Sequence, residues 1–349
     1  MLLFLALAGG LWALGWVLRT PRALRWTTIG LLYVAFVAVL VLLPAGHPLR
    51  GTMGGSAAEW LVIGALGLAI WAYSRWIGQL RGRIAAQAVV AVPAKDPNAP
   101  LTEAELDRYA RHIVLREVGG PGQRALKRAR VLVVGAGGLG APMLQYLAAA
   151  GVGTIGVIDD DTVSASNLQR QVIHGEDRLG LPKVFSAERA MKALNPHITV
   201  RPYNRRLDEG IAGDLVADYD LVLDGSDNFD TRYLVNRACV AARVPLIAGA
   251  IAQWEGQISL YDPAHGGPCF ACVFPKAPGP GLAPACAEAG VIGPLPGVIG
   301  TMMAVEAIKH LTGAGAGLAG RLMIYDGLYG ENRIIAVKRR GDCPVCGTA

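Results

Sequence analysis

A chain of 349 residues has room for one large domain or two smaller ones, and 52% hydrophobic content with a mean hydropathy of +0.37 is high for a wholly soluble protein. The formal charge of +6 belongs to residues 1–83, which hold seven Arg, no Lys and one acid, Glu59; residues 84–349 balance to zero. A balanced remainder without a basic stripe gives no support to a nucleic-acid surface there, and no nucleic-acid partner is expected.

Three apolar stretches come first: Leu2–Leu18, Trp26–Leu43 and Trp60–Ile77. Each spans roughly 26 Å as a helix, close to the hydrocarbon thickness of a bilayer, so residues 1–83 are expected to be a membrane anchor of three transmembrane helices. The competing reading, a signal peptide followed by buried core helices, lacks a basic n-region and a small-residue cleavage site. Arg19, Arg22 and Arg25 fill the first connection, and Arg75, Arg81 and Arg83 follow the third stretch. The positive-inside rule then puts the N-terminus outside and everything after residue 78 in the cytoplasm, with a bacterial inner membrane as the expected location.

Residues 84–100 read as an Ala/Val/Pro-rich linker, which if flexible reaches about 20–25 Å. Thr102 and Glu105 have capping-box spacing and open a helix through Arg111 and His112. From Val131 onward β-rich runs alternate with helical patterns: Val131–Val134, Thr154–Ile158, His197–Arg201, Leu221–Leu223 and Leu246–Ala248. Such alternation predicts an α/β fold, a doubly wound Rossmann-like and mostly parallel sheet, over residues 101–349. Gln257–Tyr261 and Leu322–Tyr325 are expected as additional antiparallel strands.

The first strand runs into Gly135, Gly137, Gly138 and Gly140. Glycine lets the backbone approach phosphate closely, and the following helix offers free N–H groups and a positive dipole end. Asp159 closes the second strand, where an acid can accept hydrogen bonds from a ribose. By itself this set fits a nicotinamide or flavin enzyme equally well. Further on, Asn167 and Arg170 are three apart and share a face, while Lys183 follows Pro182 at a helix start. One guanidinium and one ammonium there suit a polyphosphate, whereas a nicotinamide oxidoreductase leaves Arg170, Lys183 and Asp227 unexplained.

Four of six cysteines form the pairs Cys269/Cys272 and Cys343/Cys346. In a reducing compartment CxxC pairs read as Zn²⁺ ligands before disulfides, with a redox CxxC as the alternative. A closed four-thiolate site is structural and leaves no open position for chemistry. Cys239 reads as a buried helix cysteine, and His112, His174, His197 and His310 lack ligand spacing.

GAGGLG (135–140), DDDTVSASNLQRQ (159–171), GLPK (180–183) and LDGSDN (223–228) resemble the ubiquitin-activating-type adenylyltransferases of the MoeB/ThiF/HesA family. RYARHI (108–113), EGQ (255–257), CAEAGV (286–291) and the two cysteine pairs are similar to that family as well, so the resemblance covers about residues 101–349. It implies that Gly137 and Asp159 hold the adenosine part of ATP, that Asn167, Arg170 and Lys183 contact the phosphates, and that Asp227 positions Mg²⁺. Arg111 is implied to reach into the partner's site in a homodimer. The implied reaction is adenylation of the C-terminal Gly-Gly carboxylate of a ubiquitin-like sulfur-carrier protein, in molybdopterin, thiamine or related sulfur biosynthesis. Cys286 follows a Pro/Gly-rich stretch where members of this family use a cysteine for a thioester or acyl-persulfide, and others work from the adenylate alone. No rhodanese-like segment follows Cys346, so a sulfur donor is expected in trans. Adenylation of a peptide or tRNA base, and a nucleotide-binding membrane scaffold without turnover, are the competing readings.

Overall fold

A computed structural model describes residues 2–18, 20–44, 47–54, 56–87, 96–279 and 290–347. The chain divides into two compact units, residues 1–91 and 92–349, each with its own core.

The first unit consists of α1 (Leu2–Val17), α2 (Arg22–Leu42), α3 (Pro48–Met53) and α4 (Ala57–Gln87). Two of its helices carry windows long and apolar enough to cross a membrane, Leu24–Leu42 and Ala57–Trp76, with only 11% and 6% of those windows buried. The expectation of three spans is corrected on this point: α1 has 16 residues and falls short. It ends ahead of Pro21, which biases Thr20 away from helical geometry. Arg25 then closes the turn, donating from Nε and Nη2 to the Thr20 carbonyl at 3.0 and 2.8 Å while lying over the Trp12 ring. Phe36, Leu40 and Trp60 are buried among the helices, and Phe4 meets Phe36 and Trp60 edge-on. Helix α4 continues to Gln87, past Ile84, where the linker was expected to begin; residues 88–95 lie outside the described residues.

In the second unit the capping box forms as expected. Glu105 donates its N–H to Thr102 Oγ1 at 3.3 Å, and Glu105 Oε2 accepts from the Thr102 N–H at 2.9 Å. The helix it opens is shorter than predicted, breaking at Tyr109 into α5 (Glu103–Arg108) and α6 (Ala110–Ile113). Then follow α7 (Gly119–Arg128), β1 (Arg130–Val134), α8 (Gly140–Ala150), β2 (Thr154–Ile158), α9 (Lys183–Leu194), β3 (Thr199–Tyr203), α10 (Glu209–Ala217), β4 (Leu221–Asp224) and α11 (Phe229–Ala242). The chain continues through β5 (Leu246–Ala252), β6 (Glu255–Tyr261), α12 (Phe270–Val273), α13 (Pro294–Thr312), β7 (Arg321–Asp326) and β8 (Glu331–Ala336).

The strands form a single sheet of order β3-β2-β1-β4-β5-β6-β7-β8, parallel from β3 through β5 and antiparallel from β5 to β8. Alternation along β1 sends Val131 and Val133 into one core and Leu132 and Val134 into the other, so the sheet is covered on both faces. β3 starts two residues later than expected and tolerates Pro202 because it is an edge. β8, at the opposite edge, was not anticipated: all six residues are exposed, so no burial alternation marks it.

Strand order reverses between β1 and β4, the place where an open α/β sheet leaves a crevice beyond its strand ends. There the chain passes so close to itself that a Cβ on Gly140 would lie 2.0 Å from the Gly135 carbonyl oxygen. Gly140→Ala should therefore cost about 1–3 kcal/mol through forced displacement of backbone. Calorimetry of the purified protein should show its thermal midpoint lowered by several degrees; an unchanged midpoint contradicts this packing.

Candidate active site

At the crevice lies a cavity of about 1100 Å³. Gly135, Gly137 and Gly138 line its floor after β1; Asp159, after β2, faces them; Arg170, Lys183 and Asp227 close the sides. Gly135 has φ +92°, a conformation L side chains rarely adopt, and a Cβ on it would meet the Gly225 carbonyl oxygen at 3.3 Å. The turn after β1 and the turn after β4 thus pack on each other without side chains.

Asp159 ties two backbone segments together. Its Oδ2 accepts from the Ala136 N–H and its Oδ1 from the Asp161 N–H, both at 2.8 Å. Burial pushes its carboxyl above the usual range, opposed by Lys183 and by these two N–H groups. Lys183 opens α9 behind Pro182 as expected and is only 5% exposed. Its ammonium donates to Asp161 Oδ2 at 2.8 Å, with its aliphatic stem buried. Arg170 lines the cavity with its Nη1 donating to the Ser166 carbonyl at 3.1 Å. Asp227 is exposed within the cavity and free to take a cation or a ligand.

Not every expected residue arrives. Asn167 ends a short 3₁₀ turn beside the cavity but does not line it; its carbonyl accepts from the Arg170 and Gln171 N–H groups and so sets the path of those two residues. Gly140 serves packing beneath the floor. Arg111 is exposed on α6, away from the cavity, and makes no hydrogen bond or ion pair among the described residues. Cys286 lies outside the described residues.

Other residues were not singled out. Gln171, Arg205, Arg206, Arg232 and Lys276 line the cavity, and Glu255 and Gln257 reach it from β6. Gln171 and Ser226 belong to the cavity lining, and Gln171 Oε1 and Ser226 Oγ are buried without a hydrogen-bond partner. Arg232 is buried on α11 and bonds the carbonyls of Gly249 and Ser226, tying the turn after β4 to the middle of β5. The EGQ motif was the one available signal for the β6 side.

The paired cysteines do come together. Cys269, Cys272, Cys343 and Cys346 are buried, with sulfurs 3.8 Å (269–272), 3.6 Å (269–343) and 3.4 Å (272–346) apart. A tetrahedron of thiolates about 2.3 Å from a central ion has edges of about 3.8 Å, so the set fits a metal ion. Burial raises the Cys343 thiol, but the Cys346 and Val345 N–H groups, together with hydrogen bonds from the Cys269 and Cys272 thiols, outweigh it and leave it at about 7. Phe270, Phe274 and Lys276, in and just after the first pair, form part of the cavity wall. Cys239 is buried on α11, as expected.

The ThiF family profile matches residues 109–345. The chain belongs to the ThiF family. Over 250 residues it is 52% identical to a sulfur carrier protein adenylyltransferase of Thermus thermophilus, covering 70% of this chain and 92% of that one. Over 247 residues it is 49% identical to the SAMP-activating enzyme E1 of Haloferax volcanii, covering 71% and 91%. A crystal structure of E. coli MccB with ATP superposes with a TM-score of 0.61 at 25% identity, over 69% of this chain and 74% of that one. This ThiF-family unit therefore shares the mixed, Rossmann-like sheet of MccB.

Two buried histidines contribute to the pH dependence of its stability on the acid side. Burial pushes His174 and His310 below the ordinary 6.5. The unfolded chain then takes up protons that the folded chain refuses, so stability falls as pH drops through and below 6.5. The thermal midpoint should be lower at about pH 5 than at about pH 7, and His174→Gln should reduce that difference. An identical pH profile in the variant excludes His174 from the effect.

Proposed function

We propose that this chain is a membrane-anchored adenylyltransferase that activates the C-terminal Gly-Gly carboxylate of a ubiquitin-like sulfur-carrier protein with ATP. One observation carries the reading: a single cavity gathers the glycine turn, Asp159, Arg170, Lys183 and Asp227. Relatives matched over more than nine-tenths of their length, named for activating a sulfur carrier protein or SAMP, support it.

In this reading the Gly135–Gly140 turn and the start of α8 receive phosphate, and Asp159 accepts from the ribose hydroxyls. Arg170 grips phosphate as a fork and Lys183 as a point charge, drawing negative charge off the α-phosphorus and the leaving group. A carboxylate oxygen of the carrier attacks the α-phosphorus, and the bond to the oxygen bridging to the β-phosphate breaks. Pyrophosphate leaves with that bond's electrons, and a mixed anhydride remains on the carrier. Asp227 is the residue that would hold Mg²⁺ here, and the ion would supply further charge neutralisation.

Arg111 is read as a group presented to a second copy: it is exposed, unpaired among the described residues, and followed by exposed Val114 and Leu115. Zn²⁺ is the assignment for the four cysteines, closed and structural. The apolar windows of α2 and α4 are read as membrane spans, with residues 101–349 as a cytoplasmic catalytic domain. Cys286, eight residues beyond the cavity-lining Pro278 in sequence, is the residue proposed for a covalent thioester or acyl-persulfide.

The deciding assay is ATP–pyrophosphate exchange on the membrane fraction, with candidate carriers ending in Gly-Gly. Carrier-dependent exchange should be seen, reduced at least about 100-fold by Asp227→Ala. Tight ATP binding without exchange on any carrier sinks the adenylation, and activity confined to the soluble fraction sinks the anchor. Cys343→Ser with Cys346→Ser should abolish bound zinc and lower the thermal midpoint sharply, since such a site contributes on the order of 10 kcal/mol to local folding. Metal loss with an unchanged midpoint contradicts the structural role.

A further inference from the structure

Beneath the glycine turn lies a polar chain that links three of the quoted motifs through two residues outside them, His174 and Ser186. The Ala136 peptide is held on both sides: its N–H donates to Asp159 Oδ2, and its carbonyl oxygen lies 3.0 Å from His174 Nε2. A carbonyl only accepts, so Nε2 carries the proton. In the neutral ring Nδ1 is then the acceptor, and it takes the Ser186 hydroxyl at 2.9 Å. Burial, with Lys183 and Arg178 nearby, holds the imidazole in that neutral form.

Ser186 is fully buried on α9, three residues after Lys183 and so on its face of the helix. Arg178 steadies the same turn, donating from Nη1 to the Ser186 carbonyl at 3.0 Å. Lys183 bonds Asp161 twice, Nζ to Oδ2 at 2.8 Å and N–H to the carbonyl at 2.9 Å. The Asp161 N–H returns to Asp159 Oδ1. Asp159, Ala136, His174, Ser186, Lys183 and Asp161 thus form a closed ring. Asp159, Asp161 and Lys183 line the cavity; His174 and Ser186 do not.

We propose that His174 is a positioning residue for the nucleotide: a neutral imidazole that holds the glycine turn and the Lys183 helix in one register, so that the ribose-binding and phosphate-binding groups meet ATP together. The proposal rests on the reading of this cavity as an ATP site. Its physical basis is that orientation is worth orders of magnitude in rate, and a displacement of about 1 Å costs about 100-fold. Leucine at 174 leaves the Ala136 carbonyl and the Ser186 hydroxyl unpaired. Glutamine can replace both bonds, its amide donating to Ala136 and its carbonyl accepting from Ser186.

The test compares wild type, His174→Leu, His174→Gln and Ser186→Ala in the full-length protein. Equilibrium ATP affinity and the KM and kcat of pyrophosphate exchange are measured, with thermal midpoint and zinc content as folding controls. His174→Leu should weaken ATP binding and raise its KM about tenfold, and His174→Gln should recover to within about threefold of wild type. A merely structural role would lower kcat with the folded fraction and leave KM and affinity for ATP unchanged. That outcome, or a glutamine variant no better than leucine, overturns the proposal. Should the leucine variant fail to fold, Ser186→Ala decides: the ring predicts weakened ATP binding, and wild-type affinity overturns it. Wild-type protein that binds ATP without exchanging pyrophosphate would count against adenylation, while the affinities still judge His174.

Discussion

The catalytic unit depends on how closely its backbone passes itself after β1. The Gly135 carbonyl, the start of α8 and the turn after β4 meet at distances that leave no room for a Cβ on Gly140. That contact brings α8 down onto the sheet directly behind the turn whose Gly135, Gly137, Gly138 and Leu139 line the cavity. It also sets Ala136 where Asp159 and His174 can each take one end of its peptide. Asp159, Lys183 and the glycine floor are grouped around this one approach, and the contacts running through Ala136, His174 and Ser186 reinforce it.

Much of this was legible because the signals are local. Strands β1, β2, β4 and β5 carry unbroken β-rich runs, and the chain fills them nearly where expected. The glycine turn, Asp159 after its strand and Lys183 behind Pro182 each depend on a few neighbouring residues, and all three take their expected positions. The cysteine pairs were readable for a different reason: thiols at that spacing have few competing explanations.

What escaped is set by tertiary contact. β8 is exposed on both faces and has no periodicity to read. Arg205 and Arg206 enter the cavity because β3 ends beside it, a fact of sheet order and not of their own neighbourhood. His174 looks like any histidine until α9 places Ser186 against it. Conversely, Asn167 had the spacing of a site residue, yet the 3₁₀ turn engages its backbone and leaves its side chain outside the cavity wall. The first apolar stretch, Leu2–Leu18, forms a helix of 16 residues that stops within one residue of its expected end and is too short to count with α2 and α4.

The cysteine cluster has a consequence in the order of synthesis. The apolar windows of α2 and α4 leave the ribosome before any strand, and the glycine turn and Lys183 follow well before the wall at Phe270 and Phe274. That wall is tied only when Cys343 and Cys346 emerge, 71 residues after Cys272. At roughly 5–20 residues per second the gap lasts on the order of 4–14 s. During it a nascent chain has its glycine floor in hand with one side of the cavity still unsecured. Closure of the cysteine cluster by the last-made pair is thus the step that completes this wall.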